Sequence, residues 1–159
     1  MMKHRPALSA LALALWLSCG LAHAQSPAPT PCELPAEFEP ARLYGLWQLT
    51  LWPEAGSPNR PSSTGAVLFE RHPEYAGGVR GRLKRSGPGN DREAIVSGDV
   101  ADGEFNLDES ANGVDLDAVW TGAPQACGNE FQGTRRPADG RPSDEPTQQF
   151  LLKKAPGWN

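Results

Sequence analysis

The stretch that decides the fold is Leu43-Tyr44-Gly45-Leu46-Trp47-Gln48-Leu49-Thr50-Leu51-Trp52. Its odd-numbered positions hold only leucine, glycine and tryptophan, whereas its even-numbered positions are mixed in character. Because side chains alternate between the two faces of a strand, this period of two predicts a β-strand with one buried face. The following residues, 53–63, are rich in Pro, Gly, Ser and Asn and predict the loop that ends the strand.

Similar short segments recur along the rest of the chain and are separated by turn signals. The further predicted strands are 64–71, 75–85, 93–100, 104–109, 114–120, 125–135 and 147–154. Asp102-Gly103 and Asn112-Gly113 are typical of tight hairpins. The pattern therefore predicts an all-β fold, namely an eight-stranded antiparallel up-and-down barrel, in which closure removes exposed sheet edges. A β-sandwich made from the same strands is the alternative.

The N-terminal 24 residues have the pattern of a cleaved signal peptide. Lys3 and Arg5 precede an apolar run over 7–18, which is shorter than the roughly 20 residues that span a bilayer. Ala22-His23-Ala24 is a small-x-small cleavage site. We therefore expect a signal peptide over 1–24, a Pro-rich N-terminal segment over 25–37, a β-barrel domain over 38–159, and a periplasmic or secreted protein.

A lipoprotein signal with an acylated Cys19 is the alternative to a signal peptide cleaved after Ala24. Cys19 lies at the end of the apolar run, where an acylated cysteine would make the chain an outer-membrane lipoprotein. The residues before it, Trp16-Leu17-Ser18, fit such a signal poorly because Trp16 stands where leucine is usual. A membrane partner is therefore expected only if Cys19 is lipidated.

Charge and cysteine content restrict the partners and the compartment further. Removing Lys3 and Arg5 with the signal changes the formal net charge from −4 to −6. This acidic balance argues against nucleic acid as a partner. Cys32 and Cys127 are the two cysteines that then remain, and in an oxidising compartment they are most simply explained as a structural disulfide.

The segment Phe38-Glu39-Pro40-Ala41-Arg42-Leu43-Tyr44-Gly45-Leu46-Trp47 resembles the opening motif of the lipocalins and their calycin relatives. In that family an aromatic residue begins a short 3-10 turn, a basic residue follows, and Gly-x-Trp enters the first strand. The resemblance implies structural roles for Arg42, Gly45 and Trp47, with the indole closing one end of the barrel. It also implies a basic residue over that indole. Lys153 and Lys154 in the last strand are the candidates, and we expect Lys154 because it is in register with Phe150 and Leu152. Leu43 departs from the family pattern, and no second lipocalin motif follows.

The residues that suggest catalysis have simpler explanations. His72 is the one histidine of the mature chain and lies in a predicted turn. The acidic residues between 99 and 117, among them Glu109, do not have the spacing of a calcium loop and are expected mostly to face water. The basic residues Arg80, Arg82, Lys84 and Arg85 are expected on the outer face of a strand. We therefore expect no enzyme activity, no cofactor and no metal site.

The hypothesis from sequence is an exported, non-enzymatic binding protein. A small hydrophobic ligand would lie in the barrel against four residues with predicted inward orientation, Phe69, Leu83, Phe105 and Trp120. The alternative is a periplasmic inhibitor or an envelope protein-interaction module with a filled barrel, which contacts its partner through the loops at 53–63 or 136–146.

Overall fold

The computed structural model describes residues 38–86, 91–140 and 145–157. This part of the chain begins with a 3-10 turn, Pro40–Leu43, and a second turn, Ala126–Gly128, precedes the seventh strand. The strands in chain order are β1 (Gly45–Pro53), β2 (Ser63–Arg71), β3 (Val79–Ser86), β4 (Arg92–Ala101), β5 (Glu104–Ser110), β6 (Ala118–Gln125), β7 (Glu130–Pro137) and β8 (Gln148–Lys154).

The eight strands form a closed barrel in which every neighbour in sequence is a neighbour in the sheet. All pairs are antiparallel, and β1 closes the ring by pairing with β8, with Leu49 opposite Leu152. The predicted all-β, eight-stranded antiparallel barrel is therefore confirmed, and the sandwich alternative is wrong. The short hairpin connections favour this order because consecutive strands can pair without a crossover.

Alternation along each strand determines what fills the interior. In β3, for example, Val79, Gly81, Leu83 and Arg85 are buried while the intervening residues are exposed. The inward residues of all strands form one core, and its largest fully buried side chains are Trp47, Trp120, Phe69, Phe105, Phe131 and Phe150. Six large aromatic side chains occupy a barrel of only eight strands, a size at which side chains can fill the interior.

Two glycines occupy positions where a Cβ atom would be unfavourable, one because of its backbone φ and one because of a neighbouring strand. Gly45 begins β1 with a backbone φ of 109°, which residues with a Cβ atom rarely adopt. In β7, a Cβ on Gly133 would collide with the backbone carbonyl oxygen of Thr121 on β6. The absence of a Cβ at Gly133 therefore allows two neighbouring strands to approach closely in a strongly curved sheet.

Three strands, β3, β6 and β7, begin four or five residues later than the strands predicted over 75–85, 114–120 and 125–135, and β6 shows the physical reason most clearly. We expected a strand over 114–120, but β6 begins at Ala118, and residues 111–117 form a loop. The side chain of Asn112 holds this loop, since its Oδ1 accepts hydrogen bonds from the backbone N–H groups of Val114 and Asp115, each at 2.9 Å. Asn112-Gly113 therefore lies within a longer loop instead of making a two-residue hairpin, because an asparagine side chain can replace backbone pairing in a turn.

Several expectations lie outside the described residues. They are the signal peptide at 1–24, the acylation alternative at Cys19, the Pro-rich segment 25–37 and Cys32. The pairing of Cys32 with Cys127 therefore stays a prediction. Within the described residues, no helix has the length and apolar character that crossing a lipid bilayer requires.

Candidate functional site

The end of the barrel at which β1 begins is closed by Trp47. Its indole is fully buried, and its Nε1 donates a hydrogen bond of 2.7 Å to the carbonyl oxygen of Leu43. Lys154, the basic residue expected there, holds its Nζ 5.7 Å from the centre of the Trp47 ring and donates to the carbonyl oxygen of Arg42. The Arg42 guanidinium lies over the Phe38 ring at 4.7 Å and donates to the carbonyl oxygen of Cys127. These contacts join the 3-10 turn, β1 and β8.

The four residues chosen from sequence as ligand contacts all lie in the core. Phe69, Leu83, Phe105 and Trp120 are at most 2% exposed. Phe105 lies 6.4 Å from Phe69 and 4.8 Å from Phe131, measured between ring centroids. Trp120 packs 5.1 Å from Phe150. These centroid distances are those of aromatic rings in direct contact, so the four side chains pack within the core of the barrel.

A group of charged residues lies at the opposite end, where β1 ends and β2 begins. We call it the mouth cluster, and it consists of Arg85, Arg92, Glu109, Arg135 and Glu145. Arg85, Glu109 and Arg135 are buried inward residues of β3, β5 and β7. Arg92 is the exposed first residue of β4, and Glu145 precedes β8 and is not part of the sheet. Arg85, Glu109 and Arg135 are nearly inaccessible, with side chains 5%, 7% and 4% exposed. Charges buried to this extent are costly unless they are paired.

Glu109 is bound from two directions. Arg135 makes a bidentate contact with it, at 2.7 Å through Nε and 3.0 Å through Nη2. The indole Nε1 of Trp120 donates to the same carboxylate at 2.9 Å. Charge-assisted bidentate pairs of this kind are the strongest hydrogen bonds that side chains make. The pair is therefore a rigid element that rests directly on the aromatic core.

Glu145 places a second carboxylate among three guanidinium groups. Arg85 Nη2 lies 2.7 Å and 3.0 Å from its two oxygens. Arg135 Nη1 lies 2.9 Å from Oε2, and Arg92 Nε lies 3.1 Å from Oε1. The Glu145 side chain is 19% exposed and that of Arg92 is 55% exposed. Glu145 therefore covers the cluster from the solvent side.

The mouth cluster is not fully satisfied by the residues that form it. Among the described residues, three buried atoms make no hydrogen bond, namely Arg85 Nε, Arg135 Nη1 and Gln148 Oε1, although Arg135 Nη1 lies within ion-pair distance of Glu145. Gln148 is the first residue of β8, and its amide nitrogen donates to Ser62 Oγ at 2.8 Å. Within the five residues of the mouth cluster, three guanidinium groups face two carboxylates, and buried N–H donors of Arg85 and Arg135 make no hydrogen bond.

Burial and pairing act in opposite directions on the charges of the cluster. Desolvation opposes the charged form of Arg135, but the hydrogen bond and charge of Glu109, supported by Glu145, outweigh it and raise the pKa of Arg135. Desolvation likewise acts to raise the pKa of Glu145. The hydrogen bond from Arg85 and the charges of Arg135, Arg85 and Arg92 outweigh it, so the pKa of Glu145 lies below its ordinary value of 4.5.

This lowered pKa leads to a pH-dependent stability. A carboxylate whose pKa is lower in the folded state stabilises the fold above its unfolded pKa, and this contribution is lost as the pH falls through the folded value. We expect the melting temperature of the wild type to exceed that of Glu145→Gln at pH 7, and the difference to shrink as the pH falls from about 4.5 towards 3. Circular dichroism melts at several pH values measure it. Glu54→Gln, which alters an exposed loop carboxylate, is the control. A difference that does not change with pH would contradict this explanation.

Two members of the mouth cluster were assigned to the wrong face from the sequence. Arg85 was expected on the outer face of its strand with Arg80, Arg82 and Lys84, but it follows the inward positions Val79, Gly81 and Leu83. Glu109 was included among acidic residues that mostly face water, yet it shares the inward face of β5 with Phe105 and Leu107. The alternation of faces along a strand identifies Arg85 and Glu109 as inward residues, because residues two apart lie on the same face.

The outer surface carries a second candidate region. A groove of about 340 Å³ runs between the 72–75 turn and the 111–117 loop, across Ile95 and Asp108. Tyr75, Val114 and Leu116 along it are 66%, 86% and 41% exposed, and they are the large apolar side chains that the described residues leave in solvent. An adjoining groove of about 460 Å³ is lined by Leu68, Arg80 and Arg82.

His72 is held in a structural role within this turn. Its Nδ1 accepts hydrogen bonds from the backbone N–H groups of Glu74 and Tyr75, each at 3.1 Å. Its ring packs against Tyr75 with centroids 4.6 Å apart. The ring nitrogen that would act as a base therefore already accepts two hydrogen bonds. In the described ranges, no group of three or more His, Cys, Asp or Glu side chains is arranged to hold a metal ion.

The chain was compared with models of protein families and with curated proteins. No protein-family model matches the chain, and no curated protein matches it either. The eight-stranded antiparallel barrel is compatible with a lipocalin-like fold.

Proposed function

We propose that this chain is an exported, non-enzymatic protein-interaction module with a filled barrel. It is the second of the two hypotheses from the sequence, and a periplasmic inhibitor is one form of it. The observation that carries this choice over a ligand carrier is the packing of the interior. The rings of Trp47, Phe105, Phe131 and Phe150 are in contact across the barrel, and the mouth cluster lies above them.

A hydrophobic ligand inside the barrel would have to displace these contacts. Each large aromatic side chain buried in a core contributes several kcal/mol relative to a cavity, on the order of 3–5. An uncharged ligand would also have to pass the buried ions at the mouth, whose pairing it cannot replace. Uptake of a small molecule into the barrel would therefore cost more stability than its apolar contacts restore.

The surface offers a place where a partner protein can bind. Val114 and Leu116 project from the loop that Asn112 holds, and Tyr75 lies across the groove from them. Exposed apolar side chains that border a groove are typical of interaction sites. In this proposal, a partner with an apolar surface covers these three side chains.

The first experiment asks whether apolar molecules enter the barrel. The purified protein is titrated with the uncharged compounds retinol, Nile red and hexadecanol, while tryptophan fluorescence and calorimetry are recorded. We expect no saturable binding, and no apolar compound in an organic extract of the protein. Stoichiometric uptake of any of these compounds would overturn the filled-barrel proposal.

The second experiment addresses the surface. The wild type and the double variant Val114→Asp, Leu116→Asp are used to capture proteins from a periplasmic extract. We expect a protein that binds the wild type and not the variant, while Glu54→Ala, a change in a different exposed loop, captures it normally. If the wild type and the double variant capture the same protein equally well, the 111–117 loop is not the contact.

A further inference from the structure

The mouth cluster has the composition of a carboxylate-binding site that already holds a carboxylate. Arg85 and Arg135 reach it from β3 and β7, and each is held by a strand. Their guanidinium groups, with that of Arg92, surround the two oxygens of Glu145 at 2.7–3.1 Å. Guanidinium groups suit this purpose because they remain charged and their planar donors match the geometry of a carboxylate.

We propose that this cluster binds a carboxylate group from another molecule, which takes the place of Glu145. The proposal goes beyond the interaction module described above and does not depend on it, because the two concern different surfaces. The chemistry recognised is a single carboxylate, supplied either by a small free acid or by an acidic side chain of a protein.

Three observations indicate that Glu145 is the replaceable member. It is the one carboxylate of the cluster outside the sheet, whereas Glu109 is fixed on β5. Its side chain is 19% exposed, against 7% for Glu109, so solvent reaches it. Arg135 donates hydrogen bonds to Glu109 through Nε and Nη2 and forms an ion pair with Glu145 through Nη1, so the first pair survives when the second is broken.

Two unmet donors also favour an external carboxylate. Arg85 Nε and Arg135 Nη1 are buried N–H groups that make no hydrogen bond among the described residues, although Arg135 Nη1 lies 2.9 Å from Glu145 Oε2. Leaving buried donors of this kind unpaired destabilises the fold, because they have lost their hydrogen bonds to water. A carboxylate that is free to choose its position can meet Arg85 Nε as well as Nη2, which gives the bidentate geometry that Glu145 does not reach.

The shape of the site limits what the ligand can be. Below the cluster lie Trp120 and the packed core, with the Arg135 guanidinium 5.9 Å from the Trp120 ring. A long apolar tail has no space there, so the rest of the ligand must extend outward past Arg92 into solvent. Short acids and acidic side chains therefore fit, whereas a fatty acid lying in the barrel does not.

The experiment compares the wild type with Glu145→Ala, which removes the internal competitor. Sodium acetate is titrated at constant ionic strength, with sodium chloride as the matched salt, and the Nε–H signals of Arg85 and Arg135 are followed by NMR. A tethered group competes at an effective concentration in the mM range or above. We therefore expect saturable acetate binding at least tenfold tighter in the variant than in the wild type, and no saturable effect of chloride.

A second probe separates the two sources of the carboxylate. The capped peptide acetyl-Gly-Glu-Gly-amide is compared with its glutamine counterpart in the same titration. Binding of the glutamate peptide supports an acidic protein side chain as the ligand, and binding of acetate without the peptide supports a small acid. If neither binds to Glu145→Ala better than chloride does, the proposal is overturned.

Controls guard against effects on folding. Glu54→Ala removes an exposed carboxylate from the loop between β1 and β2 and should bind acetate as the wild type does. If Glu145→Ala fails to fold, recovery of the fold by acetate but not by chloride is the expected result. If neither salt restores it, Glu145→Gln replaces it in the titration, and acetate affinity equal to that of the wild type then overturns the proposal.

Discussion

Glu109→Ala is expected to lower the melting temperature by roughly 10–20 °C, which corresponds to about 3–5 kcal/mol of unfolding free energy. The reason is that three donors lose their acceptor at once, namely Nε and Nη2 of Arg135 and Nε1 of Trp120. Removing one partner of a buried ion pair is costly because the other charge stays in a medium that solvates it poorly. Thermal denaturation followed by circular dichroism measures the loss.

The neighbouring residue gives a matched control for this prediction. Asp108 precedes Glu109 on β5, but its side chain faces solvent. Asp108→Ala removes the same charge from the same strand and should change the unfolding free energy by less than about 0.5 kcal/mol, as is usual for surface positions. Similar melting temperatures for the two variants would show that the Glu109 pair does not stabilise the barrel.

Trp47→Ala should destabilise the protein by a similar amount, about 3–5 kcal/mol, through a cavity at the closed end. The indole is fully buried between Phe69 and Phe131, with ring centroids at 6.5 Å and 5.2 Å. Its loss also removes the hydrogen bond to Leu43 and the contact with Lys154. Urea denaturation gives the difference in unfolding free energy.

Two further variants separate the contributions of Trp47. Trp47→Phe keeps an aromatic ring but no N–H donor, so it should lose less than Trp47→Ala. Gln48→Ala alters the next residue, which is exposed, and should leave the stability within about 0.5 kcal/mol of the wild type. A wild-type unfolding free energy for Trp47→Ala would mean that the indole does not support the base of the barrel.

The barrel could be predicted from sequence because its signal is repeated. Eight segments alternate between apolar and polar residues, and turn residues separate most of them, so the fold class follows even when single boundaries are misplaced. The strand predicted over 114–120 shows where this approach fails. Val114 and Leu116 have the right parity, but Asn112 captures the backbone of this segment in a loop. A side-chain hydrogen bond of this kind does not alter the alternation of apolar and polar residues from which the strand was predicted.

The mouth cluster was harder to anticipate, for a different reason. Charged residues are expected to face water, and the sequence gives no indication of which carboxylate will meet which guanidinium across the barrel. Strand parity places Arg85 and Glu109 inside once the strands are known. The position of Glu145 depends on the path of the chain outside the sheet, where no periodic pattern applies. The ionic site therefore requires a three-dimensional structure.

The pairing of β1 with β8 closes the sheet into a ring, so the barrel is complete only when β8 has formed. Contacts such as Trp47 opposite Lys154 join residues separated by most of the domain, so the loop entropy of the whole domain is lost in one closing step. Until β8 has left the ribosome, β1 and β7 both have unpaired edges on which another chain can add a strand. A barrel of this kind benefits from being kept unfolded until β8 has been synthesised.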